Sequence, residues 1–163
     1  MVDITKLEPK EPRGLIVVIT GHGKGKTTTA FGLAVRACGH DMRVCIIQFM
    51  KGDLYSGEWD GVKKMNCPIE LHTTGKGFCG IQGNPYPFRE HRQNAQDAIA
   101  LAQEKIASGL FDLIILDEIN NALHLRLVKD QYHECLIGNF PFASDSEATC
   151  MFKAKSRIVP GMP

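Results

Sequence analysis

Gly21-His22-Gly23-Lys24-Gly25-Lys26-Thr27-Thr28 is the stretch best equipped for chemistry. Its glycines let successive backbone N–H groups point into a tight loop, its two lysines bring positive charge, and a threonine hydroxyl follows where a triphosphate-bound cation needs an oxygen. A helix beginning there would add a partial charge of roughly +0.5 from its N-terminus. Together these features cradle a polyphosphate. Lys26 is expected on the terminal phosphates, Thr27 on Mg²⁺, Lys24 as a second cation, and His22 beside the nucleotide. The general phosphate-loop pattern places a glycine five positions before Gly25, where Thr20 stands, so the match is a variant. A flexible basic turn would use the same residue types. Such a turn seldom follows an aliphatic run like Leu15-Ile16-Val17-Val18-Ile19 and leads into a helical period.

Leu113-Ile114-Ile115-Leu116 runs into a second chemical feature, Asp117-Glu118. An aspartate closing an aliphatic strand, in a chain that also has a phosphate loop, suits a metal-holding carboxylate that acts directly or through water. The plainer role is to cap a helix starting at Ile119. The magnesium implied by Thr27 favours the metal role, and Glu118 is expected to activate water, ligate the metal or position substrate. The catalytic candidates are thus Lys24, Lys26 and Glu118, and the metal candidates Thr27, Asp117 and Glu118. His72, His91 and His124 are too scattered to suggest a further metal site.

These residues need elements to carry them. Ala30, Leu33, Ala34 and Ala37 recur at helical spacing before Gly39, Val44 to Phe49 is a second apolar strand, and Ile69 to His72 a shorter third. Phe88 to Ser108, with Ala95, Ala98, Ile99, Ala102 and Ile106 on one face, is the clearest helix. Lys51 to Asn66 reads as loop plus a helical turn. Thr73 to Pro87, with four glycines and two prolines, reads as a long functional loop. Uniformly apolar strands alternating with helices predict a doubly wound, mostly parallel α/β sheet. In such sheets ligands bind beyond the carboxyl ends of the strands, where the 21–28 loop and Asp117-Glu118 both fall.

Composition narrows the partners. A length of 163 residues suits one α/β domain, and 19 Lys+Arg against 18 Asp+Glu gives no basic excess for a nucleic-acid partner. The cysteines at 38, 45, 67, 79, 135 and 150 show neither a C-x-x-C pair nor zinc spacing, which suits reduced thiols in the cytoplasm. Residues 1–13 form a polar leader without a signal-peptide core, and no run reaches membrane-spanning length.

Several segments in order resemble the P-loop ATP:corrinoid adenosyltransferases: Thr20 to Gly32, Arg36-Ala37-Cys38-Gly39-His40, Gln48-Phe49-Met50-Lys51-Gly52, Thr74-Gly75-Lys76-Gly77-Phe78 and Leu116-Asp117-Glu118-Ile119-Asn120. The resemblance implies a P-loop NTPase (RecA-like) architecture over residues 14–127. It also implies transfer of the 5′-deoxyadenosyl group of ATP to the cobalt of a reduced corrinoid, with Mg²⁺ or Mn²⁺ as cofactor and inorganic triphosphate released. Gly21, His22, Gly23, Lys24, Gly25, Lys26, Thr27, Thr28, Arg36 and Phe78 would bind the substrates, Phe78 by helping to displace the corrinoid's lower ligand. Where many members continue Phe-Thr-Trp, this chain has Phe78-Cys79-Gly80, so a second aromatic is missing. A reducing flavoprotein and a second copy of the chain are the implied partners. Residues 128–163 show none of the helix, strand and Thr-Gly-Arg segment usual in the family, so a truncated, frame-altered or divergent C-terminal part is expected, with an uncovered sheet edge. The alternatives are a P-loop ATPase or phosphotransferase, and a nucleotide-binding remnant without turnover.

Overall fold

The computed structural model describes residues 15–52, 54–80, 83–128 and 150–154. In chain order the elements are β1 (Leu15–Ile19), α1 (Lys26–Cys38), β2 (Val44–Gln48), α2 (Gly57–Lys64), β3 (Ile69–Thr73), α3 (Phe88–Ser108), β4 (Leu113–Asp117), α4 (Ile119–His124) and β5 (Cys150–Ala154). The strands form one sheet in the order β1-β5-β4-β2-β3. β2 is parallel to both β3 and β4, while β5 runs antiparallel to β1 and to β4, so β1 and β4 point the same way. The carboxyl ends of β1 to β4 therefore share one end of the sheet.

Alternation along the strands separates two cores, as period-2 geometry requires. Val44, Ile46, Leu113 and Ile115 pack with Ala30, Ala34, Ala37 and Cys38 of α1. Cys45, Ile47, Ile114 and Leu116 face the other way, against Ala95, Ala98, Ile99 and Ala102 of α3 and Ile119 and Ala122 of α4. Burial on both faces explains why β2 and β4 are apolar without interruption. Small alanines on α1 and α3 let each helix lie close to the sheet.

Two elements differ from expectation. α2 is an eight-residue helix where a single helical turn was expected. Its glycines at 57 and 61 and its few apolar residues hide it, but Glu58 and Asp60 in the first turn and Lys63 and Lys64 in the last complement the helix dipole. The second is β5, where no further strand was expected. It does not extend an edge but fills the slot between β1 and β4, where two strands with open backbone groups demand a partner whatever the side-chain pattern. Most of the remaining C-terminal segment lies outside the described residues.

The loops after β2 and β3 are sewn together by backbone. Lys51 and Gly52 N–H donate to Thr74 O at 2.9 Å each, and Thr74 N–H donates to Gln48 O at 2.9 Å. A Cβ on Gly52 would stand 1.8 Å from Gly75 O, and Gly75 itself has φ +89° with Met50 Cα only 2.6 Å from where its Cβ would be. Backbone cannot yield there as a side-chain tip could. Gly52→Ala is expected to cost about 1–3 kcal/mol through forced backbone shifts, visible as a lower urea midpoint. A wild-type midpoint would show that the two loops are not closely apposed.

Candidate functional site

The 21–28 loop leaves β1 and enters α1 through Gly25, whose φ of 100° only glycine adopts without strain. No side chain caps α1, so its first backbone N–H groups are left to a ligand or water. The Lys26 ammonium curls over the loop and donates to Gly21 O and, at 2.8 Å, to Gly23 O. Lys24 and His22 are exposed at the loop's surface, and Thr28 is exposed in the first turn of α1. Arg36 is also exposed but sits in the last turn of α1. Ten residues of helical rise put it about 15 Å along the axis from Lys26, so the fold does not bring it to this cluster.

Asp117 ends β4 fully buried. The Thr27 hydroxyl donates toward its carboxylate, 3.1 Å from Oδ1 and 3.3 Å from Oδ2, across the width of β5. The two motifs that the sequence places 90 residues apart thus meet. One hydroxyl facing one buried carboxylate suits a hard divalent cation, which commonly takes one or two protein oxygens and completes its shell with phosphates and water. Among the described residues, no group of three or more His, Cys, Asp or Glu gathers to hold a metal with protein alone.

Glu118 follows at the N-cap of α4 with φ +66°, a left-handed backbone that a glutamate adopts at a cost of about 1–3 kcal/mol. Its carboxylate accepts from the Asn121 amide. Burial first, then the neighbouring Asp117, push its pKa up, against the opposing pull of Lys51, Asn121 and Lys26. Glu118 holds the N-cap position of α4, and its side chain makes no hydrogen bond to the helix's backbone there.

Gln48, Lys51, Glu58 and Trp59 carry no motif that marks a role, yet Gln48 and Lys51 meet Asp117 and Glu58 and Trp59 brace them. Gln48 is the register partner of Asp117 on β2, and its amide donates to Asp117 Oδ2 at 3.0 Å and to Glu58 Oε1 at 3.2 Å. Lys51 Nζ lies 3.3 Å from Asp117 Oδ2 and 3.2 Å from Glu58 Oε1. Trp59 donates its indole N–H to Gln48 Oε1 at 2.8 Å, and Ser56 donates to Glu58 Oε2. The usable signal was Gln48, a polar residue closing a buried strand at the same level as Asp117.

Burial opposes both charges of the Lys51–Glu58 pair, but their partners prevail. Lys51 is shifted upward by Asp117 and Glu58. For Glu58, burial raises the pKa, yet hydrogen bonds from Ser56, a backbone N–H and Gln48, with the charge of Lys51, bring it down to about 2. A depressed carboxylate contributes stability that is complete above its unfolded value near 4.5 and is lost as pH falls toward 2. Between about pH 6 and about pH 3 the wild type is expected to lose more stability in urea than Glu58→Gln. Parallel losses would show that Glu58 titrates as an exposed carboxylate.

Phe78 lies in the loop after β3, partly buried against the α3 side of the core. With Leu54, Lys76, Asn84 and Tyr86 it lines a cavity of about 280 Å³. The Asn84 amide donates to Lys76 O at 2.9 Å and Phe78 O at 3.1 Å, which fixes the loop, and Lys76 Nζ stands 4.3 Å from the Tyr86 ring centroid. Cys38, Cys45, Cys67 and Cys79 are free thiols. No helix among the described residues is long and apolar enough to cross a membrane.

Residues 12–139 match the family model described as ATP:corrinoid adenosyltransferase BtuR/CobO/CobP. The chain is similar to the corrinoid adenosyltransferase CobA of Salmonella typhimurium, 33% identical over 123 residues, covering 72% of this chain and 58% of that protein. The corrinoid adenosyltransferase of Pseudomonas aeruginosa is 32% identical over 126 residues, covering 76% and 59%. That of Escherichia coli is 33% identical over 125 residues, covering 72% and 58%. The matches span 58–59% of the length of these relatives.

Proposed function

The chain belongs to the ATP:corrinoid adenosyltransferase family BtuR/CobO/CobP, and from that membership we propose that it transfers the 5′-deoxyadenosyl group of ATP to the cobalt of a reduced corrinoid. The observation that carries this reading is the meeting of Thr27 with Asp117 at 3.1 Å beside the glycine loop. It supports a site for a metal-bound triphosphate in a chain whose family model is described by ATP and corrinoids.

In the proposed reaction the electron pair of Co(I) attacks C5′ of ATP. A cobalt–carbon bond forms, the C5′–O bond breaks, and its electrons leave on inorganic triphosphate. No proton has to be abstracted, so no general base is required, and the protein's work is to bind and align. The loop amides, Lys26 and Lys24 hold the triphosphate and offset the charge that grows on it as the bond breaks. Mg²⁺ or Mn²⁺, held by Thr27 and Asp117 with Glu118 alongside, would act as a Lewis acid on the same phosphate oxygens. The cavity at Phe78 opens from the loop after β3, the strand two places from β4 in the sheet. It lies at the same end of the sheet as the loop, where a second substrate would approach C5′ while the triphosphate stays in the loop. Phe78 would meet the corrinoid there, and Tyr86 supplies an aromatic wall. A reducing flavoprotein that delivers Co(I), and a homodimeric state, complete the proposal.

The test is the absorption spectrum of the product. ATP and chemically reduced cobalamin are expected to give the adenosylcobalt spectrum together with inorganic triphosphate, both dependent on added metal. Orthophosphate released without corrinoid would replace this reading with ATP hydrolysis. ATP binding without either product would mean a binding protein.

A further inference from the structure

Both oxygens of Asp117 lie within reach of the Thr27 hydroxyl, and Oδ2 carries further contacts. Oδ1 is the nearer to the Thr27 hydroxyl, whereas Oδ2 takes the Gln48 amide at 3.0 Å and the Lys51 ammonium at 3.3 Å. Asp117 is fully buried and the Lys51 side chain is 13% exposed. A divalent cation drawn to Asp117 therefore meets a fixed positive charge across the width of one carboxylate, where charges are screened less than in water. Glu58 Oε1 stands 3.2 Å from the same ammonium and, like Asp117 Oδ2, accepts from the Gln48 amide, so the two carboxylates compete for Lys51. Its place is held by Ser56 and Gln48, and Lys51 is held by its backbone bond to Thr74.

We propose that Lys51 and Glu58 are a charge pair that sets the affinity of the Thr27–Asp117 site for a divalent cation, Lys51 opposing the cation and Glu58 drawing Lys51 away. This rests on the reading of Thr27 and Asp117 as metal-holding residues. The reaction gives the device a purpose. Its leaving group is a metal-bound triphosphate that grips the loop through the same groups as ATP, so an unopposed Asp117 would retain the product. Lys51 keeps that grip reversible. Both are positioning residues, since neither needs to touch the reacting atoms.

The pair predicts effects of opposite sign. Calorimetric titration of the full chain with Mn²⁺·ATP, metal-free ATP and Mn²⁺·triphosphate compares wild type with Lys51→Met, Lys51→Arg and Glu58→Gln. Lys51→Met is expected to bind both Mn²⁺ complexes about tenfold more tightly, the order expected on removing one nearby unit charge from a partly screened site. Lys51→Arg should stay near wild type. Glu58→Gln should bind the Mn²⁺ complexes several-fold more weakly, because Lys51 then pairs with Asp117 alone. Metal-free ATP should bind equally to all. Trp59, the single tryptophan, is bonded to Gln48 and gives an independent fluorescence signal for the same titrations. Shifts of the same sign in Lys51→Met and Glu58→Gln would reduce the pair to a structural tether and overturn the proposal. Weaker metal-free ATP binding in Lys51→Met would instead make Lys51 a phosphate ligand. If Lys51→Met does not fold, Glu58→Gln decides alone, and unchanged or tighter Mn²⁺·ATP binding there overturns the idea. A wild type that binds no nucleotide at all would remove the proposed function itself.

Discussion

Lys26→Ala is expected to lower adenosyl transfer by about two to three orders of magnitude, the usual effect of removing one preorganised group that stabilises developing negative charge. Two losses combine. The ammonium brings a positive charge onto the loop, and by donating to Gly21 O and Gly23 O it also holds the loop closed on itself. ATP affinity should fall along with turnover, because ground-state phosphates and the departing triphosphate use the same group. Binding by calorimetry and the rate of adenosylcobalt formation check both. Wild-type values in this variant would sink the assignment of the loop. The fold should survive the change, since Lys26 is only partly buried and takes no part in either core.

Asp117→Ala should be the more damaging change, because it acts on stability and on metal together. The wild-type carboxylate is buried among Thr27, Gln48 and Lys51. Its removal takes an acceptor from the Thr27 hydroxyl and the Gln48 amide while Lys51 keeps Glu58, and unpairing a buried polar group costs about 1–3 kcal/mol. Asp117→Asn separates the two roles. It keeps the size and one acceptor oxygen, so it should unfold nearer the wild-type midpoint in urea, yet its turnover should no longer saturate with Mg²⁺ as the wild type's does. If Asp117→Asn kept a wild-type Mg²⁺ dependence, the metal role would fall while the structural one stood.

Much of the candidate site was legible because its motifs are local. Glycines at 21, 23 and 25, Lys26 and Thr27 are defined by neighbours in the chain, and Asp117 by the aliphatic run before it. Both cores could be read from β2 and β4, where alternate residues serve opposite helices and apolar identity is required at every position. The supporting cluster was hidden for a different reason. Gln48, Lys51, Glu58 and Trp59 belong to a strand end, a loop and a glycine-containing helix, and what unites them is a register and a shared carboxylate. Arg36 shows the converse: it lies within a resembling segment yet is carried by helical rise to the far end of α1.

The sequence by itself determined the alternation of strands and helices, the phosphate loop and the aspartate that ends β4, because each follows from backbone freedom or side-chain burial over a few residues. Tertiary structure alone decided that β5 enters antiparallel between β1 and β4, that Thr27 reaches Asp117 across it, and that Lys51 and Glu58 face that carboxylate. Backbone groups in a sheet take whatever strand satisfies them, and charges in a buried site take whatever partner the packing presents. Neither choice is written in the spacing of residues along the chain.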